Sequence, residues 1–119
     1  MAILRHQRQW DIYKANMGGG ADGLVLVLSS DETNRILDSG LLLCEVVPES
    51  LQRLTAGPVA VRIDPKERGL SEPAVIDVPS MASAPRNCLV SLEGRLESVP
   101  LRVAVLSAVE VLVGLARWP

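Results

Sequence analysis

GLSEPAVIDVPSMASAPRNCLVSLEGRLES, Gly69 to Ser98, passes directly into an apolar segment, Val99 to Ala116. Pro73 to Val78 is a short apolar burst with β-branched residues, and Leu92 to Leu96 alternates apolar or small residues with charged ones, so both suit strands. From Val99 the apolar run is too continuous for an alternating strand and too long for an ordinary one, while Arg102, Glu110 and Arg117 recur at roughly helical spacing. The stretch therefore predicts a strand, a short connector, a second strand and a terminal helix, with the remaining strands completing a sheet around them.

At 119 residues the chain reads as one domain, residues 1–119, large enough for a core without metal or disulfide staples. Apolar residues make up 48%, with no Phe, two Trp and one Tyr, so that core is built from Leu, Val, Ile and Ala. A net charge of −2 supplies no general attraction to nucleic acid, and any polyanion site must come from a local basic cluster. Cys44 and Cys88 stand alone, without CxxC spacing or a neighbouring His, and read as reduced thiols rather than metal ligands. No cofactor motif is present, and no metal site is expected. The N-terminal MAILRHQRQW has no long apolar stretch behind its charges, so it does not read as a secretory signal and points to the cytoplasm. Val99 to Ala116 is the only membrane candidate, but Arg102, Glu110 and Pro100 within it favour a packed C-terminal helix with no membrane partner.

Residues 5–15, RHQRQWDIYKA, form a first amphipathic strand with Trp10 and Ile12 on one side and Asp11 and Tyr13 on the other. The glycines of Met17 to Gly23 break it with a loop. That loop lacks the Lys-Ser/Thr pair of a phosphate-binding P-loop and is followed by a strand rather than a helix. Gly23 to Ser30, GLVLVLSS, is apolar on both faces and belongs at the centre of a sheet. Ser30 to Arg35 is a turn or short helix in which Ser30 with Thr33, or Asp31 with Asn34, caps locally. Leu41 to Val47 and Pro58 to Asp64 are further strands. Several short strands, a terminal helix and no βαβ rhythm predict a mostly β, α+β fold: a small curled antiparallel sheet with helices at its edge.

In order, these pieces resemble the MazF/PemK family of bacterial toxins, within the superfamily that also contains CcdB. The resemblance begins at LVLVLSSDETN, Leu24 to Asn34, a strand ending in Ser with Asn a few residues on. It continues through Gly69-Leu70, Pro73-Ala74-Val75, Leu92-Glu93-Gly94-Arg95-Leu96 and Val113-Gly114-Leu115, and so spans nearly the whole chain. It implies a small SH3-like barrel with a C-terminal helix, a homodimer, an antitoxin protein as partner, and metal-independent endoribonuclease activity on single-stranded RNA, without a cofactor. The family's Arg-Pro at the start of the second strand falls on Gly23 and Leu24. Its Thr after the third strand falls among Val46 to Ser50, where Ser50 matches with a slip, and its Asp-Gln falls on Pro79 and Ser80.

Cleavage of this kind drives the ribose 2′-OH onto the adjacent phosphate, which needs a proton acceptor, a donor to the leaving oxygen and a cation near the developing charge. Arg35 from the turn after the strand is the candidate cation, with Arg5 or Arg8 as substitutes, and Ser50 is the candidate hydroxyl. The sole histidine, His6, is a candidate general acid or base, beside its plainer reading as a solvated terminal side chain. Arg5, His6, Arg8 and Lys14 form a basic set suited to phosphates, with Trp10 either stacking on a base or buried in the core.

Two other functions fit the same residues. Met81 to Pro85 and the terminal Trp118-Pro119 resemble CcdB-like toxins, which bind gyrase without catalysis, and Trp118 is then the partner-binding anchor. A catalytically inactive, dimerising relative is the third reading, favoured by the nearly continuous apolar surface of the terminal helix.

Overall fold

The computed structural model describes residues 7–16, 22–36, 40–49, 59–64, 70 and 72–114. Six strands and two helices follow in the order β1 (Asp11–Asn16), β2 (Asp22–Val27), α1 (Asp31–Asn34), β3 (Leu41–Pro48), β4 (Ala60–Ile63), β5 (Ala74–Ala84), β6 (Leu89–Arg95) and α2 (Val99–Leu112). A short 3-10 turn, Arg86–Cys88, joins β5 to β6. The strands form one antiparallel sheet in the order β4-β5-β3-β2-β1-β6. The expected mostly β, α+β architecture is present, but β4 and β6 do not pair, so the sheet is not closed.

β2 sits centrally, as its doubly apolar sequence requires, paired with β1 on one side and β3 on the other. Its alternate residues enter two cores. Leu26 joins Ile12, Cys44, Val46, Ile76, Val78 and Leu96 beneath Val105 and Ala108 of α2. Val25 and Val27 join Tyr13, Ala15, Leu41, Leu43, Ala84 and Leu89 on the opposite face.

α2 starts where Ser98 accepts the backbone N–H of Leu101 at 3.3 Å, with Pro100 in the first turn. It closes at Leu112, ahead of the expected end at Ala116, because Gly114 takes φ +84° and terminates the helix. Val105 and Ala108 are fully buried where the helix packs on β4 and β5. Val99, Val103, Leu106, Leu112 and Val113 are exposed.

Three local expectations change. The first strand begins at Asp11 rather than near residue 5, because Trp10 adopts φ +78° in a turn where Asp11 N–H donates to the Arg8 carbonyl at 3.1 Å. The Trp10 ring is core, 7% exposed, with the Arg102 guanidinium 5.5 Å from its centroid; burial overturns the base-stacking alternative for it. The connector expected after Val78 is strand instead, since β5 runs eleven residues through Pro79. Its pairing with β3 jumps from Glu45↔Asp77 to Leu43↔Ala82. Pro79 lies within that bulge, where no ladder donor is required of it. Ser80 fills the gap, its Oγ accepting Glu45 N–H at 2.7 Å and donating to the Asp77 carbonyl at 2.6 Å.

Candidate functional site

The β2–α1 corner is built on a buried asparagine. Asn34 is fully buried, and its Oδ1 accepts from Ser29 Oγ at 2.6 Å. Its Nδ2 donates to the carbonyls of Gln7 at 2.8 Å and Ser29 at 3.0 Å. Both amide hydrogens and the amide oxygen are thereby used, which is what makes burial of this side chain affordable. Ser29 Oγ also accepts the backbone N–H of Leu42 at 3.1 Å, so the same corner fixes the start of β3. The Ser-to-Asn spacing noted in the sequence is thus a structural fastening. Ser30 caps α1 by accepting Thr33 N–H at 3.2 Å, one of the two caps the sequence offers.

Arg86, in the turn between β5 and β6, closes this corner from the other side. Its guanidinium donates to Gln7 Oε1 at 2.5 Å, to the Ile36 carbonyl at 3.0 Å and to the Asn34 carbonyl. The two carbonyls flank Arg35, so Arg86 holds the turn that presents Arg35 to solvent. Among the described residues no carboxylate pairs with Arg86, and its Nε is buried without a hydrogen-bond partner. The sequence reading passed over Arg86; a single Arg between Pro85 and Asn87 carries no pattern, and only the return of the chain across the second face brings it to residues 7, 34 and 36.

Beside this clasp lies an open cavity of about 580 Å³ lined by Asn16, Ser83, Ala84, Pro85, Asn87 and Cys88. Asn16 ends β1 and pairs directly with Asp22, next to Gly23. The cavity therefore runs from the end of β1 to the turn that carries Arg86. Its wall at Ser83–Ala84 is pressed by Gly40, where a Cβ would stand 2.9 Å from the Ala84 carbonyl oxygen and 3.0 Å from Ser83 Oγ. Burial raises the Cys88 thiol above its ordinary pKa, so it stays protonated at neutral pH, and none of the described lining residues carries a charged side chain.

The residues singled out in the sequence fall as follows. Arg35 is exposed at the end of α1, its backbone N–H donating to the Glu32 carbonyl at 3.2 Å. Arg8 is exposed and adjoins Gln7, so Arg8, Arg35 and Arg86 belong to one corner, which also carries the carboxylates of Asp11, Asp31 and Glu32. Lys14 is exposed on β1, between Leu24 and Ser91 of its neighbours and two residues from the cavity residue Asn16. Arg5, His6, Ser50 and Trp118 lie outside the described residues. The Ser29–Asn34 corner that precedes Arg35 adjoins the Leu42 end of β3, whereas Glu49, the last described residue after β3, follows its other end, and the eight-residue strand is about 23 Å long. Glu49 itself is engaged by Arg62 of β4, whose Nε lies 2.7 Å from Glu49 Oε1 while Nη1 lies 2.9 Å from Asp64 Oδ1. That exposed cation is already offset by two carboxylates. Gly23, where the resemblance places an arginine, is exposed, and a Cβ there would meet nothing within 4 Å. Among the described residues no three His, Cys, Asp or Glu side chains are grouped to hold a metal ion.

No family model and no curated protein matches the sequence. Solved structures do match its fold. An endoribonuclease in complex with its cognate antitoxin from Mycobacterial species superposes with a TM-score of 0.75 at 17% identity, over 95% of this chain and 99% of that one. An endoribonuclease from Mycobacterial species gives 0.76 at 14% identity, over 98% and 99%. The Mycobacterium tuberculosis toxin MazF-mt6 gives 0.73 at 18% identity, over 91% and 99%. The chain thus has the fold of these toxins along nearly its entire length.

Proposed function

We propose that this protein is the toxin of a toxin–antitoxin pair, a metal-independent endoribonuclease that cuts single-stranded RNA. The observation that supports the reading is the end-to-end likeness of its fold to solved endoribonuclease toxins, over 95% and 98% of the chain in two cases. One of those is bound to its cognate antitoxin, and an antitoxin is proposed as the partner here as well. The proposed setting is the cytoplasm, where RNA is available, and the proposed assembly is a homodimer. The exposed apolar stripe of α2, Val99, Val103 and Leu106, is suited to either protein contact.

In this reading Arg35 is the cation that meets phosphate, with Arg5, His6, Arg8 and Lys14 tracking the RNA backbone, Ser50 supplying a hydroxyl and Trp118 anchoring a protein partner. With the eight residues of β3 between them, this reading puts Arg35 and the Glu49 end of the strand on separate phosphates or on separate copies of a dimer. A guanidinium is suited to the developing phosphorane charge because it stays protonated at any physiological pH and donates in a planar fork. The test is incubation of purified protein with a long single-stranded RNA in chelator, with mapping of the cut sites and new ends. Discrete cuts leaving 2′,3′-cyclic phosphates, reduced at least tenfold by Arg35→Ala, are the expected result. An intact RNA across several sequences would sink the proposal.

A further inference from the structure

The cavity between Asn16 and the β5–β6 turn has a lining unlike the charged corner beside it. It offers two carboxamides, a hydroxyl and a protonated thiol, with Ala84 and the ring of Pro85 as its apolar part. Its volume of about 580 Å³ falls within the range of small-molecule sites and admits a planar heterocycle. A phosphate would be poorly served by these groups, since none of the described lining residues carries a charged side chain. An Asn carboxamide, by contrast, carries the adjacent donor and acceptor that match the edge of an unstacked base, and apolar side chains suit a base's face. Among the described residues nothing holds the Asn87 carboxamide by a hydrogen bond, whereas the Asn34 amide, on the other side of the Arg86 clasp, is fully engaged. Arg86 fixes the turn on which Asn87 stands and is not itself in the lining. Exposed cations lie nearby in the chain: Lys14 is two residues before the lining residue Asn16 on β1, and Arg35 lies between the two carbonyls held by Arg86, the neighbour of the lining residue Asn87.

From this arrangement we infer that the cavity is a nucleobase pocket, in which Asn87 and Asn16 read the edge of one unstacked base of single-stranded RNA while neighbouring cations hold its flanking phosphates. The inference rests on the proposed RNA substrate but makes a separate claim: base preference at one position is set by Asn87.

The experiment pairs cleavage mapping with binding of fluorescently labelled oligo(A), oligo(C), oligo(G) and oligo(U) by anisotropy, for the wild type, Asn87→Ala and Ser83→Trp. Asn87 and Ser83 are exposed, so both variants are compatible with the fold. The expected result is that Asn87→Ala flattens the preference at one position relative to the cut, and among the oligonucleotides, by roughly 5- to 100-fold, the range for one bidentate base contact. Ser83→Trp, which fills the cavity, is expected to weaken every oligonucleotide at least fivefold. Wild-type cleavage with a base profile unchanged in both variants overturns the pocket and leaves the nuclease reading standing. Base-selective binding without cleavage, lost in Asn87→Ala, keeps the pocket and removes the nuclease. Neither binding nor cleavage overturns both.

Discussion

Arg86 and Gln7, 79 residues apart in sequence, meet at 2.5 Å. The first described segment of the chain is thereby fastened to the turn that precedes its last strand, and the Arg35 turn is caught between them through the carbonyls of Asn34 and Ile36.

Arg86→Ala leaves those two carbonyls and Gln7 Oε1 without their donor. Hydrogen bonds to a charged group are worth about 1.5–3 kcal/mol each, and partial rehydration offsets part of the loss, so a destabilisation of about 2–3 kcal/mol is expected. Urea denaturation followed by circular dichroism measures it. Arg86→Lys recovers only part, since a single ammonium cannot span three acceptors that a planar guanidinium reaches. A stability change below about 0.5 kcal/mol in the alanine variant, the size typical of a featureless surface site, would show that the clasp is not formed in solution.

Gly23→Arg is expected to be tolerated. No atom lies within 4 Å of the Cβ it would add, and the residue is exposed in a strand, where replacing Gly relieves a backbone-entropy cost of about 0.5–1 kcal/mol. Under the nuclease reading the new guanidinium stands where the resemblance places the family's arginine, its Cβ on the face of the sheet shared with Ala15 and opposite to that of Asp22 and Asn16. Cleavage is then expected to rise tenfold or more, a cautious share of the 10²- to 10³-fold that one well-placed stabilising group contributes. Unchanged cleavage in a folded variant would place the reacting phosphate elsewhere.

Cys44 links stability to alkaline pH. Burial first, then the nearby Asp77 and Glu45 carboxylates, pushes its thiol up to about 12 from an ordinary 9.0. The unfolded chain therefore gives up this proton before the folded one does. Its stabilising contribution is complete below pH 9 and is lost as pH rises toward 12, at about 1.4 kcal/mol per unit. Tyr13, raised to about 12 by burial and by Asp11, acts in the same direction above pH 10. Cys44→Ala is expected to flatten the pH 9–12 limb of a denaturation series; an identical limb would mean that the thiol titrates as if exposed.

The strands and the terminal helix were legible because their signals are local. Leu24 to Leu28, LVLVL, announces a central strand by being apolar at every position, and Ser98 with Pro100 announces a helix start. Ser30 and Thr33 likewise form the cap their spacing suggests. β5 was misread because Pro79 and Ser80 look like a turn, and nothing in the local sequence says that Ser80 will stand in for missing ladder bonds. The charged corner was half legible. Arg8 and Arg35 stand out as charges beside turns, whereas Arg86 is joined to them only by tertiary contacts. The cavity was not legible at all, since two asparagines at 16 and 87 are brought together by the pairing of β1 with β6.

β2 contributes Leu26 to one core and Val25 and Val27 to the other, so sliding this strand by one residue would exchange apolar side chains for apolar side chains. Hydrophobicity, which specifies alignment in a sheet with one wet face, is nearly indifferent here. The alignment is instead written in polar atoms: Ser29 Oγ on Leu42 N–H at one border of β2 and β3, Ser80 Oγ on Glu45 N–H across β3 and β5, and Asp11 against Arg95 at 2.9 Å across β1 and β6. These few hydrogen-bonding side chains act as alignment keys for a chain whose strands would otherwise fit one another in more than one way.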